Sequence, residues 1–231
     1  MTKLIGMIGG VSWESTVLYY QLINQAVRDR FGGLNSARLL ISSLNYAPIV
    51  DLENQGDWQA VGDILVTTAQ NLELSGADFI ILGCNTLHKV SGVIEAAIQI
   101  PFLHIADAIG EALLDAKIKK VGLLGTQFTM EDGFYADRLR NKFNLEVVVP
   151  DRDARCMIDD IIYKELCVGK ILPSSRVKLS AVMASLIEAG AEGIILGCTE
   201  LGMIIQPVDA TVVTYDSTIL HVAKTVALAL G

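Results

Sequence analysis

Short apolar runs alternate with longer amphipathic stretches along the chain. Residues 4–8, 39–44, 79–82 and 101–105 read as strands, as do 121–124, 145–149, 194–196 and 211–215. Each run is brief and bounded by Gly, Pro or polar residues, the pattern of buried parallel strands. Between them, helical spacing covers 14–30, 57–74, a stretch from about 86, 107–116, 131–142, 153–168, 174–189 and 217–230. Ser12 or Ser15 caps the first helix, Gly76 closes the second, and Asp107 and Asp216 each open a helix after a strand. Strand–helix alternation of this kind predicts an α/β fold with parallel sheets.

The pattern occurs twice. Gly76-Ala77-Asp78-Phe79-Ile80-Ile81-Leu82-Gly83-Cys84-Asn85-Thr86-Leu87 matches Gly190-Ala191-Glu192-Gly193-Ile194-Ile195-Leu196-Gly197-Cys198-Thr199-Glu200-Leu201 at eight of twelve positions, 114 residues apart. Ile5-Gly6-Met7-Ile8-Gly9 likewise parallels Val121-Gly122-Leu123-Leu124-Gly125. The expected architecture is therefore two pseudo-symmetric α/β/α half-domains, each with a mainly parallel four-stranded sheet. Ligands of such sheets bind beyond the carboxyl ends of the strands. Gly9-Gly10, Cys84-Asn85-Thr86, Gly125-Thr126 and Cys198-Thr199 all fall at those ends. The expected active site is a cleft between the halves, with the two matched cysteines facing each other.

Composition narrows the class of ligand. The 231 residues carry a net charge of −8, which argues against nucleic acid or an anionic membrane surface as partner. The chain is 52% hydrophobic, yet no apolar run approaches the roughly 18 residues of a membrane span. The strand that starts almost at Met1 leaves no room for a signal peptide, so a cytoplasmic setting is expected. Four cysteines in such a chain are reduced thiols rather than a disulfide framework. His88, His104 and His221 are dispersed, and no Cys/His spacing resembles a zinc site, so no metal is expected. Gly6-x-x-Gly9-Gly10 does not fit a dinucleotide fingerprint.

A thiol titrates at about 8.5 and shifts toward thiolate at a helix start. Cys84 and Cys198 each follow a strand and precede a helix start, so both are expected to shift that way. Asn85, Thr86 and Thr199 beside them are suited to hold a carboxylate, helped by turn N–H groups. A lone cysteine at a strand end is most simply a small buried hydrophobe. Two in a duplicated motif point instead to general acid–base catalysis from opposite faces. One thiolate would take a proton from the α-carbon of a small acid, and the other thiol would return one. Hydrogen bonds to the carboxylate would stabilise the carbanion.

On Ile8-Gly9-Gly10, Cys84-Asn85-Thr86-x-His88 and Gly197-Cys198-Thr199-Glu200, the chain resembles the aspartate/glutamate racemase family over nearly its full length. The resemblance implies a cofactor-independent amino-acid racemase that works without pyridoxal phosphate, with Cys84 and Cys198 as the proton-transferring pair. It implies a homodimer, a small amino-acid substrate, and substrate contacts from Gly10, Ser12, Trp13, Asn85, Thr86, Thr126, Thr129 and Thr199. It also implies that the last strand and helix join the first half, giving domains of 1–100 plus 208–231 and 101–207. Aspartate-selective members carry an Arg and a Lys for the distal carboxylate. The matching places here hold Val50-Asp51 and Cys167, which argues against strict aspartate selectivity and leaves aspartate, glutamate or a broader range of amino acids as the expected substrates, with Lys164 one turn away as a candidate replacement.

His88 and Glu200 are expected to support the thiols rather than react, Cys167 to line the pocket, and His104 and His221 to be structural. Cys156 and Cys167, eleven apart on one predicted helix, would be roughly 16 Å apart and unable to bond. Two other readings stand beside the racemase. A superfamily isomerase or decarboxylase, such as a maleate isomerase or a hydantoin racemase, keeps the fold. A carboxylate-binding or thiol redox-sensing protein has no turnover.

Overall fold

The computed structural model describes residues 2–231. By internal contacts the chain divides into two units, residues up to His104 with His221–Gly231, and Ile105–Leu220.

The first unit begins with β1 (Ile5–Gly9), α1 (Trp13–Phe31) and β2 (Leu39–Ser43). Then come α2 (Tyr46–Gln55), α3 (Trp58–Leu74), β3 (Phe79–Leu82), a 3-10 turn (Thr86–Val90), α4 (Ser91–Ala97) and β4 (Phe102–Leu103). Its sheet has the order β2-β1-β3-β4, all parallel. Side chains alternate along β1, so Ile5 and Met7 face one way and Ile8 the other. On one face Ile8, Ile80 and Leu82 pack with Val61, Leu65 and Ile94 of α3 and α4. The pattern of apolar and polar residues assigns no element to α2. Pro48 lies in that helix's first turn, where its missing N–H has no helical partner to lose.

The second unit repeats the plan: α5 (Ile105–Asp115), β5 (Lys120–Gly125), α6 (Gln127–Glu131), α7 (Phe134–Phe143), β6 (Glu146–Val148) and α8 (Arg152–Lys164). A 3-10 turn (Leu166–Val168), α9 (Pro173–Glu188), β7 (Gly193–Gly197), α10 (Leu201–Ile204), a 3-10 turn (Pro207–Asp209) and β8 (Val213–Asp216) complete it. The sheet order β6-β5-β7-β8, again all parallel, copies the first. One continuous core joins Val121, Leu123 and Ile194 to Ile109, Leu139, Ile158, Leu179 and Met183.

Three expected helices change. Asp107 does not cap α5, which starts at Ile105; its carboxylate instead takes Arg138 in a two-pronged pair at 2.7 Å and Lys142 at 2.7 Å. The helix expected at 131–142 is broken at Gly133, whose φ of +76° suits glycine, and so splits into α6 and α7. The helix expected at 153–168 stops at Lys164, so Cys156 and Cys167 lie on separate elements.

The chain's end also differs. β8 pairs with β7 from Gly193↔Val213 to Leu196↔Asp216, so the last strand belongs to the second sheet. Only α11 (Ser217–Leu230), capped by the Asp216 carboxylate, runs back. Its Val222, Val226 and Ala229 cover the second face of the first sheet, against Ile5, Met7, Phe79 and Ile81 and beside Tyr19, Ile23 and Val27 of α1. A fully buried parallel sheet needs apolar cover on both faces, and this helix supplies part of it. Among the described residues, no helix is long and apolar enough to cross a membrane.

Candidate active site

In the first unit, the loop after β1 is held by hydroxyls. Gly10 has φ +78°, and a Cβ there would run into the Leu44 backbone, so only glycine fits. Its N–H donates to Thr16 Oγ1 at 2.7 Å, and Thr16 donates to the Ser12 carbonyl at 2.9 Å. Ser12 caps α1 by accepting from the Ser15 N–H, and Trp13 next to it is 65% exposed. Sequence reading picks out Gly10, Ser12 and Trp13 but misses Thr16, the residue that closes the loop. The signal is a hydroxyl pair at i and i+4 at a helix start.

Cys84 lies just beyond β3, with Asn85 and Thr86, and all three are buried. A carbonyl can only accept, so His88 Nδ1 donates to the Cys84 oxygen, at 2.6 Å. Contrary to their spread in sequence, the three histidines converge. The His88 ring lies 4.4 Å from that of His104 and 6.2 Å from that of His221. His221 Nε2 donates to the Leu103 carbonyl at 3.0 Å, which leaves Nδ1 to accept from Tyr19 Oη at 2.8 Å. Burial, opposed by the Leu103 bond, holds the His221 pKa down at about 4. It is therefore a neutral imidazole near neutral pH.

In the second unit, Thr126 caps α6 by accepting from the Thr129 N–H at 3.3 Å, and its hydroxyl lies 3.1 Å from that of Thr129. Both are buried at the end of β5. Beyond β7, the Cys198 thiol donates to Glu200 Oε2 at 2.9 Å, and Thr199 donates to the same oxygen at 2.8 Å. All three residues are buried. The expected shift toward thiolate is reversed here. Burial, the Glu200 charge, Cys167 and the S–H bond to Glu200 push the Cys198 thiol well up, and the Glu200 backbone N–H opposes them. The helix that follows, α10, has four residues and little dipole to offer.

Cys167 is partly buried and packs against the core that contains Cys198. Lys164 stands in solvent with its side chain 71% exposed, its ammonium 2.6 Å from Asp160. Among the described residues, no cluster of three or more His, Cys, Asp or Glu is arranged to hold a metal.

The sequence profile described as Asp/Glu/hydantoin racemase matches residues 8–225, across both cysteine turns. The chain belongs to the Asp/Glu/hydantoin racemase family. As a member it is an enzyme of the amino-acid racemase class. The crystal structure of a protein provisionally named an Asp/Glu racemase, from Yersinia pestis, is 43% identical, with a TM-score of 0.92 over 99% of this chain and 100% of that one. An aspartate racemase homologue from Pyrococcus horikoshii OT3 is 34% identical, with a TM-score of 0.85 over 99% and 100%. The broad specificity amino-acid racemase RacX of Bacillus subtilis is 23% identical over 99% of each chain. The repeated sheet order is thus this racemase family's architecture, and the cysteine turns lie at equivalent strand ends of its two sheets.

Proposed function

We propose that this racemase inverts the α-carbon of free amino acids by a two-base mechanism carried by Cys84 and Cys198. The observation that carries the reading is the duplicated Gly-Cys turn, placed at the same strand end of each sheet with Asn85 and Thr86 beside one thiol and Thr199 beside the other. One thiolate takes the proton from one face of Cα and becomes a thiol. The other thiol gives its proton to the opposite face and becomes a thiolate, so charge and protons balance. Asn85, Thr86, Thr199 and the Gly10–Ser12 and Thr126–Thr129 loops are the proposed carboxylate and amine contacts, and the thiols need no cofactor.

The range is proposed to be broader than aspartate. Lys164, the candidate for gripping a distal carboxylate, is paired with Asp160 in solvent, and Cys167, which packs against the core that contains Cys198, offers no cation there. The reading carries with it a cytoplasmic setting and a homodimer. The exposed Trp13, Val17 and Tyr20 along α1 suit contact with a second copy.

The test is incubation of single enantiomers of a panel of amino acids, 5-substituted hydantoins and maleate in D2O, followed by chiral chromatography and mass spectrometry. Inversion of amino acids with one deuterium at Cα supports the reading. Full activity in the Cys84→Ala, Cys198→Ala double variant sinks it, and turnover of only hydantoin or maleate moves the chain to that reaction.

A further inference from the structure

The two cysteine turns are copies, but their surroundings have diverged. In the aligned repeat Thr86 stands where the second unit has Glu200, and His88 stands where it has Gly202. Strand register adds a third difference. Ile81 pairs with Leu103, and its counterpart Ile195 pairs with Tyr215, so His104 and Asp216 are equivalent. In the first unit the positions at 88 and 104 hold two imidazoles in contact. In the second, the Asp216 carboxylate fills the space a side chain at Gly202 would need. The first cysteine turn carries imidazoles, with His88 bonded to the Cys84 carbonyl, and the second carries carboxylates, with Glu200 bonded to the Cys198 thiol and Asp216 against Gly202.

We infer that Glu200 is a positioning residue that keeps the proton on Cys198, so that the resting enzyme has Cys198 as its acid and Cys84 as its base. This rests on the two-thiol reading proposed for the reaction. Glu200 grips the sulfur twice: its carboxylate accepts the S–H at 2.9 Å, and its backbone N–H points at the same sulfur. Thr199 donates to that same Oε2 at 2.8 Å, which holds the carboxylate in place. A thiolate formed at Cys198 would lie against a carboxylate, with the Glu200 N–H to steady it. The titratable groups that act on Cys198 are Glu200 on its own turn and Cys167 on the neighbouring 3-10 turn.

Turnover of the enantiomer that presents its proton to Cys84 starts from this resting form. One proton passes from Cα to Cys84 and one from Cys198 to Cα. The opposite enantiomer requires the less stable form, with its thiolate on Cys198. Glu200 thereby sets which hand of substrate meets a ready enzyme.

The experiment is the rate of iodoacetamide alkylation of each cysteine in the full-length protein between pH 6 and 9, resolved by peptide mass spectrometry. The two sulfurs suit comparison, since Cys84 and Cys198 are 6% and 7% exposed. Cys84 should react faster than Cys198 in the unaltered protein, a result that needs no substitution. Glu200→Gln should speed Cys198 about tenfold or more, by the thiolate fraction that a lost neighbouring charge releases, and leave Cys84 unchanged. Glu200→Asp keeps the charge and should keep Cys198 slow. Equal rates in the unaltered protein, no acceleration in Glu200→Gln, or equal acceleration in Glu200→Asp would each overturn the inference. These rates are independent of turnover, so a failed racemase assay refutes the proposed function without touching them.

Discussion

Lowering the pH should destabilise the first unit through His221, and the size of the effect follows from its burial. The imidazole is fully buried, donates to the Leu103 carbonyl and accepts from Tyr19, which leaves it no place for a second proton. Its pKa falls from 6.5 to about 4, with desolvation the main cause. Between those two values the unfolded chain binds a proton that the folded chain refuses. Stability is therefore full above pH 6.5, declines as pH falls, and levels off below about 4. A depression of this size corresponds to roughly 3 kcal/mol across the window. His221→Gln keeps a donor for Leu103 and an acceptor for Tyr19 but cannot titrate. Both tryptophans, Trp13 and Trp58, lie in the first unit, so urea unfolding followed by tryptophan fluorescence reports on the right part of the chain. The unaltered protein should lose stability between pH 6.5 and 4 faster than His221→Gln does, and carboxylates common to both cancel in the difference. A difference between the two proteins that stays flat across that window would refute the assignment of a buried neutral imidazole.

Three further outcomes are expected. Cys84→Ala and Cys198→Ala should each lose racemisation by about 10²- to 10⁴-fold, the contribution of one proton-transfer group. In D2O, Cys198→Ala should still exchange the α-proton of one enantiomer with retention, seen by proton NMR without any change in optical rotation. Gly202→Ala should lower the unfolding free energy by about 1–3 kcal/mol in denaturant melts, because its methyl collides with the Asp216 carboxylate. Asp107→Ala strips Arg138 and Lys142 of their shared partner. In the native protein those two cations outweigh burial and hold the Asp107 carboxyl below its usual value, so the variant should unfold more easily by roughly 1–3 kcal/mol at pH 7, a gap that closes in acid.

The strands are legible in the sequence because a buried parallel strand is a short apolar run, and its length and flanking glycines separate it from a buried helix. Residues 79–82 are an example, and the matching run before Cys198 exposes the duplication. The long helices are legible from periodicity, and their ends less so. Gly133 breaks a helix whose apolar spacing continues straight across it, and Pro48 stands in the first turn of a helix that the apolar pattern does not show. The histidine cluster is not legible at all. His221 meets His88 because α11 packs on the first sheet, and His104 meets it because β4 pairs beside β3, and no local pattern records either neighbour. The bond from Cys198 to Glu200 is also hidden. Residues two apart share no face of a helix, so their contact depends on the turn geometry beyond β7.

The divergence of the two cysteine turns has a thermodynamic licence. Two enantiomers in water have equal free energy, so the ratio kcat/KM must be the same for both, whatever surrounds each thiol. That equality constrains the sum of steps, not the individual sites. A carboxylate beside Cys198 that favours one protonation form alters kcat and KM of the two directions in proportion and leaves the ratio intact. A duplicated cysteine turn can therefore lose its symmetry, with Glu200 as the counterpart of Thr86 and Asp216 as that of His104, at no cost to the equilibrium. What the asymmetry changes is the form of the enzyme that waits for substrate. If Glu200 holds the proton on its neighbour, as we infer, that form has Cys198 as its thiol.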